Sequence, residues 1–83
     1  MDATTTLLFE GDLPEASFAE FARHRAAKLS IAHRLVAQDA RSATIRLSGP
    51  PALLDAFEMA LSLGPAECLV LDVRRIENAE TEE

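Results

Sequence analysis

The chain has 83 residues, 48% of them hydrophobic but only 5% aromatic, with 14 acidic residues against 8 basic ones and a net charge of -6. That describes one small domain with a modest core of Ala, Leu, Val and Ile, since a disordered chain needs low hydrophobicity with high charge. An acidic balance without Trp or Tyr argues against nucleic-acid binding, and no apolar run approaches the length of a membrane span.

In chain order, Thr4–Glu10 predicts a strand, with Leu7 and Phe9 alternating against Thr6, Leu8 and Glu10, that stops at Gly11. A turn, Gly11-Asp12-Leu13-Pro14, follows. Ser17 with Glu20 has the spacing of a capping box, with Asp12 and Glu15 as rivals for the same role. Phe18, Phe21, Ala22, Arg25 and Leu29 recur at three- and four-residue steps, predicting a helix to about Lys28 or Leu29 with both Phe as core anchors. From Ser30 the period becomes two: Ile31, His33, Leu35 and Ala37 alternate with Ala32, Arg34, Val36 and Gln38, predicting a strand with one face partly wet. Asp39-Ala40-Arg41-Ser42 turns the chain into a second strand carrying Ala43, Ile45 and Leu47 on one face.

Gly49-Pro50-Pro51 ends that strand and starts a second helix, whose apolar stripe is Leu53, Leu54, Phe57, Ala60 and Leu61. Gly64-Pro65 stops it, and a last strand is predicted from about Cys68 to Ile76. The order β-α-β-β-α-β predicts an α+β, ferredoxin-like sandwich: a four-stranded antiparallel sheet with two helices on one face. The domain is expected over 1–76, with a disordered acidic tail at 77–83.

The charges are unevenly placed. The tail holds Glu77, Glu80, Glu82 and Glu83, which leaves ten acids against eight bases elsewhere. Between Arg23 and Arg46, Arg23, Arg25, Lys28, Arg34, Arg41 and Arg46 face only Asp39. Six bases beside two His can attract anions weakly, and a solvated mixed-charge surface is the simpler reading. The lone Cys68 excludes an internal disulfide, and its apolar neighbours mark a buried structural thiol. With no basic, apolar leader at its start, the protein is expected in the cytoplasm.

Signals for chemistry are sparse. His24 and His33 lie on different elements without Cys or carboxylates at ligand spacing, so neither a metal nor another cofactor is expected. No nucleophile elbow appears, the three glycines form no phosphate loop, and Glu67 and Asp72 fall on opposite faces of a strand.

One combination is more specific. A strand ends in Gly11 and a loop of seven residues leads to Phe18. The first helix closes with Lys28-Leu29-Ser30-Ile31, the third strand ends Ser48-Gly49-Pro50, and the second helix ends Leu63-Gly64-Pro65-Ala66. Over about residues 5–76 this resembles the acylphosphatase family. Its pattern has a Gly-x-Val-Gln-Gly-Val-x-Phe-Arg loop, a Lys-Leu-Gly-Leu helix end, a Gly-Pro after the third strand and a Gly-Pro-x-Ala before the last. The resemblance implies the ferredoxin-like fold and a site for hydrolysing acyl phosphates. In such a site, first-loop amides and an Arg hold the phosphate and an Asn positions water.

Carried across, Gly11 and Phe18 match. The Arg position falls on Ala19 and the Asn position on Ala37, while the loop Gln and Gly become Pro14 and Glu15. The expectation is therefore a family fold without its catalytic pair, leaving Ala16, Ser17, Phe18 and Arg23 as binding candidates. Arg23 lies one turn beyond Ala19 on the same helix face. Gln38, next to the Asn position, is expected to point to the other face of the sheet.

Three functions compete: a non-catalytic ligand- or protein-binding domain, an altered acyl-phosphate hydrolase using Arg23, and a small-molecule regulatory domain. The third resembles the ACT type, through Gly11-Asp12-Leu13-Pro14. Arg34 on the second strand and Arg74 and Arg75 on the fourth are expected at sheet edges, where charges block edge-to-edge association. A monomer or weak dimer with no nucleic-acid or membrane partner is expected.

Overall fold

Alternation builds the centre of the sheet. The computed structural model describes residues 2–76, so the tail expected at 77–83 lies outside the described residues. Strand β1 (Ala3–Asp12) pairs antiparallel with β3 (Ser42–Gly49), placing Leu7 opposite Ile45 and Phe9 opposite Ala43. Leu7, Phe9, Ala43, Ile45 and Leu47 are all fully buried. Helices α1 (Glu15–Leu29) and α2 (Pro51–Leu63) close over that face with Phe18, Ala22 and Ala26, and with Leu54, Phe57 and Leu61. Phe9 meets Phe18 edge-on at 5.3 Å between ring centroids. Each large side chain so buried contributes about 1.5–3 kcal/mol, which makes these rows the main source of stability.

Strands β2 (Ala32–Gln38) and β4 (Leu69–Ile76) complete an antiparallel sheet of order β2-β3-β1-β4. The architecture is the expected ferredoxin-like βαββαβ sandwich, with β2 and β4 at its edges.

Four local expectations are corrected. No side-chain cap opens α1: Pro14 is the N-cap residue, so Ser17 lies inside the first turn and the capping-box spacings are coincidental. Strand β1 continues past Gly11 to Asp12, across a shift in its pairing with β4. A Cβ at Gly11 would fall on the Leu69 carbonyl oxygen and within 2.9 Å of the Leu71 nitrogen, so glycine is required by close approach of β4. Strand β2 lacks the half-buried face expected of it. Ile31 is buried just before it, but Ala32–Ala37 are all exposed: β2 is an edge strand, and an open groove separates its inner face at His33 and Leu35 from Ala19, Ala22 and Arg23 of α1. Finally, Cys68 precedes β4, buried as expected, its N–H donating to the Pro65 carbonyl at 3.0 Å.

Helix α1 ends in a Schellman arrangement. Ser30 takes a left-handed conformation (φ 57°, ψ 41°), its N–H donates to the Ala27 carbonyl, and the Ile31 N–H donates to the Ala26 carbonyl. This is where the resembling family's pattern has glycine.

Candidate functional site

The candidate site lies where β1 hands over to α1, against the β2–β3 turn. Asp39 organises that turn: its carboxylate accepts from the Arg41 and Ser42 N–H groups at 2.7 and 2.9 Å. The same bonds, the Arg41 one foremost, hold the Asp39 carboxyl below its ordinary range. The turn directs two carbonyls at the loop, where the Gly11 N–H donates to Arg41 at 3.0 Å and the Leu13 N–H to Ala40 at 2.8 Å. Pro14 carries no N–H, and the Phe18 N–H donates to the Pro14 carbonyl at 2.9 Å. Only Glu15, Ala16 and Ser17 occupy helix-start positions whose N–H groups lack intrahelical partners. There the Glu15 carboxylate supplies the negative charge that a helix N-terminus favours.

The four binding candidates do not share one cavity. Phe18 is fully buried and Ala16 is exposed. Ser17 lines a groove of about 400 Å³ with Phe21, His24, Arg25, Lys28 and Glu67. Arg23 lines a different groove, of about 390 Å³, with Ala19, Ala22, His33 and Leu35. Ala19 and Arg23 therefore share a helix face, as the spacing implies, and Arg23 lies 4.0 Å from Glu20 in an exposed pair. Asp12 lines a third cavity with Glu10, Asp72 and Arg41, in which carboxylates outnumber bases.

Gln38 is corrected. Strand β2 carries one extra residue against β3 between Leu35 and Ala37. The bulge puts Ala37 opposite Thr44 and Gln38 opposite the buried Ala43, on the helix-covered side. From there the Gln38 side-chain amide donates to the Glu15 carbonyl at 2.8 Å, tying β2 to the first turn of α1. Sequence reasoning missed this contact because a period-two pattern carries no sign of an inserted residue.

Among the described residues, no group of three His, Cys, Asp or Glu side chains is placed to hold a metal ion, and no helix is long and apolar enough to cross a membrane.

No family model matches the chain, and a search of curated proteins finds no match. Solved structures do resemble it. An acylphosphatase from Bacillus subtilis superposes with a TM-score of 0.82 at 22% identity, over 98% of this chain and 89% of that one. One from Coxiella burnetii gives 0.81 at 15% identity, over 98% and 90%. Full-length HypF, in a phosphate- and nucleotide-bound form, gives 0.69 at 16% identity, over 96% of this chain but 11% of that one. The chain has the acylphosphatase-like fold.

Proposed function

We propose that this protein is a cytoplasmic, non-catalytic binding domain on the acylphosphatase-like fold, one that neither holds phosphate at its first loop nor hydrolyses acyl phosphates. The observation that carries the reading is the state of the loop's donors. The Gly11 and Leu13 N–H groups are engaged by carbonyls and Pro14 has none, which leaves only the helix-start N–H groups of Glu15, Ala16 and Ser17, beside which the Glu15 carboxylate already stands. Asp12 and Glu15 add charge of the wrong sign. Two like charges 4–6 Å apart near a protein surface repel by roughly 3–4 kcal/mol at an effective dielectric of about 20. Ala19 offers no guanidinium where the resembling family has one, forgoing about 1.5–3 kcal/mol per charge-assisted bond. Together these weaken phosphate binding by several decades.

Phosphate titration followed by backbone amide NMR is expected to give no saturable shift at Ala16–Phe18, and hydrolysis of a generic acyl phosphate is expected to stay at background. Saturable shifts there, or turnover above background, overturn the reading. The second reading, hydrolysis using Arg23, draws on the groove that Arg23 shares with Ala19. It requires turnover that Arg23→Ala abolishes.

A further inference from the structure

The two sheet edges carry arginines of opposite status. On β4, Arg74 pairs with Glu10 at 3.0 Å and Asp72 at 3.2 Å, and Arg75 pairs with Asp55 at 2.6 Å and Glu58 at 2.8 Å. On β2, Arg34 lies directly opposite Arg46 of β3, on the face away from the helices. Neither has an ion pair or side-chain hydrogen bond among the described residues. Like charges directly opposed across strands destabilise a sheet. Around them lies a depression of about 290 Å³ walled by Leu35 and Val36. Behind the same edge, on the helix side, runs the groove of about 390 Å³ lined by Ala19, Ala22, Arg23, His33 and Leu35, with Glu20 its one carboxylate.

We infer that the free edge of β2 is a docking surface for an extended acidic segment of another protein, added as a fifth strand beside Ala32–Leu35. The inference deepens the binding role proposed above and rests on it. Strand addition uses the unpaired backbone groups of an edge and sorts alternate side chains to the two faces. Outward-facing carboxylates meet Arg34 and Arg46. Inward-facing small apolar side chains enter the groove beside Leu35 and Ala22. The bulge after Leu35 ends regular pairing, which confines the added strand to the first half of β2. A second copy pairing through its own β2 is disfavoured, because it would bring one edge with unpaired arginines against another.

The test uses the full chain and a fluorescein-labelled peptide of alternating Glu and Val. Saturable anisotropy is expected, with slowed hydrogen exchange confined to Ala32–Leu35 and amide shifts confined to those residues and the neighbours that line the surface, Arg46 on β3 and Ala19–Arg23 on α1. Charge reversal by Arg34→Glu with Arg46→Glu, both exposed and so compatible with folding, is expected to weaken binding at least about tenfold and to confer binding of a Lys–Val peptide. An N-methylated Glu–Val peptide, equally charged but unable to donate to the edge, is expected not to bind. Equal binding of the methylated peptide, or shifts spread to basic residues away from this edge such as Arg41, Arg74 and Arg75, overturns strand addition. Protection of Ala32–Leu35 that grows with protein concentration overturns it in favour of a second copy. Protection present in the free chain, and lost when Glu77, Glu80, Glu82 and Glu83 become Gln, overturns it in favour of the chain's own carboxylates. Acyl-phosphate turnover is measured on the same preparation: turnover refutes the proposed function, whereas absent turnover with absent peptide binding refutes only this docking surface.

Discussion

Replacing Ser30 by glycine should stabilise the protein. Ser30 ends α1 at φ 57°, where an L side chain crowds the following carbonyl at a cost of roughly 1–2 kcal/mol. Glycine removes that cost but gives back about 0.5–1 kcal/mol, through the larger freedom of the unfolded chain. Nothing else changes, because Ser30 is exposed and its capping bonds to Ala26 and Ala27 belong to the backbone. The net gain is about 0.5–1 kcal/mol. With an unfolding entropy of about 2.1 cal/mol/K per residue over roughly 75 ordered residues, that raises Tm by about 3–6 °C. Urea unfolding at constant m-value and a thermal scan measure it, with Ser30→Ala as the control that keeps the left-handed backbone. An Ser30→Gly variant no more stable than the parent, or an Ser30→Ala variant that matches its gain, refutes the strain argument.

Phe57, fully buried among α2, β1 and β3, should cost about 3–5 kcal/mol as Phe57→Ala, read as a lower urea midpoint. Asp39 has its folded-state pKa lowered by the Arg41 and Ser42 N–H groups. Its contribution is therefore present above the ordinary aspartate range and lost as pH falls through the lowered value. Asp39→Ala should remove that share of the acid limb of a stability–pH curve, and an unchanged limb would dismiss the turn's role. The Cys68 thiol is pushed up by burial, and then by Glu67 and Asp12. It should react with a disulfide reagent far more slowly in the folded protein than in urea, and equal rates would contradict its burial.

How much of this was legible beforehand depended on whether position alone decided the outcome. Leu7 and Phe9 on β1, and Ala43, Ile45 and Leu47 on β3, were readable because central strands must bury one face, and the pattern reports that face directly. Gly64 and Pro51 marked the limits of α2 for equally local reasons. The start of α1 was misread because two polar-to-Glu spacings competed, while Pro14, with its fixed φ and missing donor, set the true boundary. The face of Gln38 was misread because the bulge inverts the alternation after Leu35. The first loop's resemblance to the acylphosphatase pattern was visible in Gly11 and Phe18. The engagement of its amides by Ala40 and Arg41 was not, since those carbonyls come from a turn distant in sequence.

That latch has a consequence for what nearby sequences can become. Installing an arginine at Ala19 alone leaves the Gly11 and Leu13 donors engaged and the Glu15 carboxylate at the helix start. Releasing the donors means rebuilding the Asp39 turn, which at first only loosens the hairpin. A variant population would thus cross a stretch of weaker folding before any phosphate affinity appeared to reward it, so the anion cradle lies several coordinated substitutions away rather than one.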